Sequence, residues 1–92
     1  MNIKELNNKV GQKSALMYCE TKKVAKKHGY RLVLRTRKEF RDTFCIFVYA
    51  DGKRGRYIVG YDGIFDADAF LNFDYCLNQV NNFLLDKRNS SI

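Results

Sequence analysis

The apolar residues of this sequence change their spacing twice along the chain, and that change most limits what it can fold into. Up to His28 they recur at helical spacing, from Tyr30 to Tyr61 they alternate or run on, and beyond Asp66 helical spacing returns. A period near 3.6 buries one side of a helix and a period of two buries one face of a strand. The chain therefore reads as helix, strands, helix.

Asn2 with Glu5 three positions later forms a capping box, and Ile3, Leu6 and Val10 follow until Gly11 interrupts. Residues 1–12 are expected as an N-terminal helical arm. A second helix is expected from Lys13 to His28, ended by Gly29 in the left-handed conformation. Tyr30–Thr36, Thr43–Ala50 and Arg56–Tyr61 carry strand signals, the last two joined by Asp51-Gly52-Lys53-Arg54-Gly55. Phe70, Phe73, Leu77, Val80 and Leu84 then make an apolar stripe on a helix from Asp66 or Ala67 to Lys87. Asp66 would cap that helix, with Phe65 and Phe70 as its hydrophobic staple.

The fold class this implies is α+β: a two-layer sandwich with a three-stranded antiparallel meander and both main helices on one face. The expected core is Met17, Val24, Leu32, Leu34, Ile46, Val48, Phe73, Leu77, Val80 and Leu84. With 92 residues, no proline and no Gly/Ser linker, the whole of 1–92 is expected as a single domain, and 89–92 as a frayed tail.

Charge is unevenly distributed. Residues 1–61 hold 15 Lys and Arg against 5 acids, and the remainder holds 2 against 5, for a net charge of +7. Such asymmetry points to a basic surface meant for phosphate or for an acidic protein. In the second helix Lys22, Lys23, Lys26 and Lys27 share the side opposite Met17, Tyr18, Thr21, Val24, Ala25 and His28. Lys53 and Arg54, with Lys38 and Arg41, extend the cationic surface into loops.

Strand alternation decides what the uncovered sheet face carries. If Leu32, Leu34, Phe44, Ile46 and Val48 point to the helices, then Arg31, Val33, Arg35 and Arg37 point away, as do Cys45, Phe47 and Tyr49. The third strand adds either Tyr57, Val59 and Tyr61 or Arg56, Ile58 and Gly60, according to register. Rings and guanidinium groups together suit nucleic acid, and they equally suit the centre of a protein interface. A third reading has the rings covered by the N-terminal arm or by a second copy of the chain.

Other chemistries find little support. Cys19, Cys45 and Cys76 are odd in number and widely spaced, so they read as reduced core thiols in a cytoplasmic protein. Asp62, Asp66 and Asp68 lack calcium-loop spacing and read as helix-start carboxylates, and His28 has no nucleophile or metal-ligand pattern around it. No phosphate loop, dinucleotide fingerprint, membrane span, metal or cofactor is expected.

The element order resembles that of the double-stranded-RNA-binding domain, which also runs helix, three strands, helix. That family holds phosphate with a basic cluster at the start of its last helix. Here the matching stretch is Asp62-Gly63-Ile64-Phe65-Asp66-Ala67-Asp68, which would repel phosphate, so the resemblance is one of topology and lends no site residues.

The expected function is that of a non-enzymatic binding protein whose basic surface engages nucleic acid through Lys22, Lys23, Lys26, Lys27, Arg31, Arg35, Arg37, Phe47, Tyr49, Lys53 and Arg54. The alternative is a small phage-type inhibitor or adaptor, analogous in size and style to anti-CRISPR proteins. It would block a nucleic-acid-processing protein or its guide-RNA complex by docking on an acidic or ribonucleoprotein surface. A homodimer through the open sheet face is a further expectation.

Overall fold

The computed structural model describes residues 2–37, 42–52, 55–65 and 69–90. Its elements are α1 (Ile3–Val10), α2 (Gln12–Lys27), β1 (Tyr30–Arg37), β2 (Thr43–Ala50), β3 (Val59–Ile64) and α3 (Ala69–Ser90). The strands form an antiparallel sheet in the order β1-β2-β3, so the α+β meander expected from the sequence is the architecture found.

Local chemistry sets the helix limits. Asn2 accepts from the Glu5 N–H at 2.9 Å and opens α1. Gly11, at φ 91°, closes α1 by donating to Asn7 O and at once becomes the cap of α2. A left-handed residue there lets two helices meet without a linker. At the other end of α2, His28 is the C-cap and Gly29 takes φ 83°.

The helices contribute their buried residues to one core with the inner sheet face. Leu6 and Val10 of α1, Ala15, Tyr18 and Ala25 of α2, Leu32, Phe44, Ile46 and Val48 of the sheet, and Phe73, Cys76, Leu77, Val80 and Leu84 of α3 form a single cluster. Phe44 packs on Phe65 and Phe73 with ring centroids 4.7 and 5.3 Å away. Among the described residues α2 lies over β1 and α3 over β3, while α1 packs on both helices. Two side-chain ties hold α1 and α2 in place: Lys9 donates to Asp42 at the foot of β2, and Ser14 Oγ donates to Asp74 Oδ1 at 2.6 Å.

Several expectations need correction. The N-terminal segment is no arm over the open face, since Leu6 and Val10 are 2% and 6% exposed in the core on the helical side. Val24 is exposed and Met17 and Leu34 only half-buried, because α2 presents small residues, Ser14, Ala15, Thr21 and Ala25, to its neighbours and is turned toward them. Phe70 is exposed, and Phe65 stacks toward Phe73, one turn further in; Asp66, the expected cap of that helix, lies outside the described residues. The third strand begins at Val59 rather than Arg56 because the chain bends at Ile58 and pairs only from there. Asn89 and Ser90, expected in the tail, continue α3.

Candidate binding surface on the open face of the sheet

The register fixes which side chains meet on the uncovered face. Arg31 lies opposite Tyr49, Val33 opposite Phe47, and Arg35 opposite Cys45; on the far side of β2, Cys45 meets Asp62 and Phe47 meets Gly60. The guanidinium carbon of Arg31 sits 4.7 Å from the centre of the Tyr49 ring. The Tyr49 and Phe47 centroids are 6.3 Å apart, and Phe47 and Tyr57 are 4.6 Å apart. Three rings and a guanidinium thus follow one another across the sheet.

Of the two registers expected for the third strand, the ladder takes the one that turns Gly60 to the open face. Gly60 and Asp62 face outward while Val59 and Tyr61 pack on the core, yet Tyr57 also reaches the open face because it precedes the bend. Gly60 makes room for a ring. A Cβ there would stand 3.0 Å from Phe47, so the missing side chain is the space in which Phe47 lies. Beside the rings is an open cleft of about 870 Å³ whose polar lining includes Arg35, Arg37, Thr43 and Asp62. Its charge is mixed: two guanidinium groups face one carboxylate.

Cys45 and Cys76 are quiet thiols. Burial, then the Asp62 carboxylate, raises the Cys45 pKa, against the lowering effect of a backbone hydrogen bond at Tyr61. Burial also pushes Cys76 up to about 11, with Asp62 and Cys45 adding to the shift, and its Sγ donates to Asp62 O at 3.4 Å. Thiols that hold their protons are poor nucleophiles. No group of three or more His, Cys, Asp or Glu able to hold a metal occurs among the described residues. His28 lies exposed beside Val24, Asn81, Leu84 and Leu85, apart from the open face.

The expected basic residues do not form one surface. Arg31, Arg35 and Arg37 share the open face, together with Phe47 and Tyr49. Lys22 and Lys26 overhang the outer edge of β1, where they share a groove with Arg31. Lys23 pairs with Glu20 at 3.4 Å, and Lys27 lies on that same remote side of α2, both fully outside the groove. Lys53, Arg54, Lys38 and Arg41 lie outside the described residues.

No protein-family model matches the sequence, and no curated protein or solved structure matches it significantly.

One member of the face escapes sequence reasoning: Asp62 falls one residue past the expected strand end, where it reads as part of a helix start. Tyr57, expected on this face in one of the two registers, reaches it from outside the strand ladder. The pair Gly60 and Asp62, alternating with Val59 and Tyr61, is the usable signal for a strand running on to Ile64. None of the described helices is long and apolar enough to cross a membrane.

Proposed function

We propose that this protein binds single-stranded nucleic acid on the open face of its sheet and does no chemistry on it. The observation that carries the reading is the row Arg31, Tyr49, Phe47, Tyr57, with Arg35 and Arg37 beside it. Bases of any identity stack on such rings, and the guanidinium groups hold phosphates or stack in turn. A duplex keeps its bases inside, so a row of uncovered rings favours an unpaired strand. The remaining lysines add a positive field that steers the strand inward.

The test is fluorescence anisotropy with labelled oligonucleotides, single- and double-stranded, across a salt series. Single strands should bind more tightly than duplex, and Phe47→Ala and Tyr49→Ala should each weaken binding by about 1 to 3 kcal/mol. A folded double variant with unchanged affinity would overturn the reading.

The carboxylate of Asp62 in the cleft favours a second reading, an inhibitor or adaptor that seats a protein surface there, since a phosphate strand gains nothing from it. Capture of partners with and without nuclease separates the two: a partner retained after nuclease treatment is a protein.

A further inference from the structure

We infer that the free edge of β1 is a docking site for an extended, acidic peptide of a partner protein, which joins the sheet as a fourth strand. This does not rest on the nucleic-acid reading, because it concerns the edge of β1 rather than its open face, with Arg31 bordering both.

Backbone alternation shows what the edge offers. Asp51 N donates to Gly29 O at 2.9 Å, which makes that pair a hydrogen-bonded one. In an antiparallel ladder such pairs alternate with open ones, and the register continues Tyr30 opposite Ala50 and Arg31 opposite Tyr49. Arg31, Val33, Arg35 and Arg37 therefore turn their N–H and C=O groups to β2. Tyr30, Leu32, Leu34 and Thr36 turn theirs outward, where among the described residues no strand pairs with them. An eight-residue edge of this kind is a template for another strand.

Beside the edge runs a groove. Two hollows of about 310 and 340 Å³ lie along β1 and share Lys22, Leu32 and Val33, so they are successive parts of one channel between α2 and the strand. The first has an apolar floor of Leu6, Tyr18, Leu32 and Leu34. The second is rimmed by Lys22, Lys26 and Arg31 against one acid, Asp51. Alternate apolar side chains of an added strand would enter the floor, and acidic ones would meet the rim.

Charge chooses among occupants. A second copy joining edge to edge would bring Arg31, Arg35 and the lysine rim of one molecule against the same groups of the other, which repels. The opposite edge, β3, carries Gly60, Gly63 and the acid Asp62 and is two residues shorter. An acidic peptide at β1 satisfies both the open backbone groups and the rim.

The experiment uses the full chain with two probes: a ten-residue peptide alternating valine and glutamate, and the same peptide with lysine for glutamate. Residue-resolved amide hydrogen exchange is followed by NMR. The glutamate peptide should slow exchange at Leu32 and Leu34 at least tenfold while leaving Arg31 and Val33, already bonded to β2, nearly unchanged. Lys22→Glu with Lys26→Glu, checked for fold by circular dichroism, should lose that protection, and the lysine peptide should give none of it. No binding, binding without the alternating pattern, or equal protection by the lysine peptide would each overturn the proposal. So would an unliganded dimer with Leu32 and Leu34 already protected, which would assign the edge to a second copy.

Discussion

Phe47 lies over Gly60, so that a Cβ on the neighbouring strand would stand 3.0 Å from its ring. The contact is with a ring on a half-buried face, so the ring is able to yield. Gly60→Ala should fold with a small loss of stability, under about 1.5 kcal/mol, but tilt Phe47 off the row it forms with Tyr49 and Tyr57. Oligonucleotide affinity should fall more than thermal stability does. Equal affinity, with a Phe47 ring shift visible by NMR, would mean the row does not carry binding.

Gly63 makes the opposite case from the inner face. A Cβ there would stand 2.7 Å from the Phe44 ring, which is 2% exposed and held by Phe65 and Phe73. Gly63→Ala should destabilise by about 1 to 3 kcal/mol through overpacking, read as a lower urea midpoint. A neutral result would show that the Phe44, Phe65, Phe73 cluster is looser than its geometry implies.

Leu77 is fully buried between the sheet and the other helices. Leu77→Ala should cost about 2 to 5 kcal/mol, measured by chemical denaturation. The same change at exposed Phe70 should cost far less, which separates the start of the sequence stripe from its buried middle.

Alkaline stability should depend on Cys76. Its pKa is raised from 9.0 to about 11 in the folded chain, so between these values the unfolded thiol gives up its proton while the folded one keeps it. Stability from this group is therefore intact below pH 9 and lost as pH rises toward 11. In urea titrations from about pH 8 to pH 11, Cys76→Ala should flatten the decline relative to the parent chain. Parallel curves would remove the thiol as its cause.

The two basic sets should behave differently toward a single strand. Arg35→Glu with Arg37→Glu should reduce the salt slope by roughly 0.7 for each phosphate no longer neutralised. Lys23→Glu with Lys27→Glu, on the remote side of α2, should chiefly slow association. If the lysine pair lowered the slope as much as the arginine pair, the binding path would have to pass over the helix.

Much of this arrangement is legible in the residues themselves. Tyr30–Arg37 and Thr43–Ala50 hold a two-residue period, and Arg31, Arg35, Phe47 and Tyr49 share a face because that period leaves no other choice. The helices are harder. On α2 the buried positions include Ser14, Ala15, Thr21 and Ala25, suited by small size rather than hydrophobicity, so a reading by apolar character places Val24 and Met17 too deep. Phe70 keeps the helical interval yet lies beyond the sheet's cover. The separation of Lys22 and Lys26 from Lys23 and Lys27 depends on where β1 lies against α2, a long-range fact that no local spacing contains.

The bond between Ser14 and Asp74 spans 60 residues and joins α2 to α3. With Leu6 and Val10 sharing a core with Leu77, Val80 and Leu84, the first helix has no complete binding partner until the last one exists. On the ribosome, then, the early helices and the arginine-bearing strands must wait while some 70 residues of basic, ring-rich chain emerge. The same long-range closure should make folding slower than in a helical bundle of equal size. It also places the hazard of misassembly in synthesis, before α3 arrives, rather than in the finished protein.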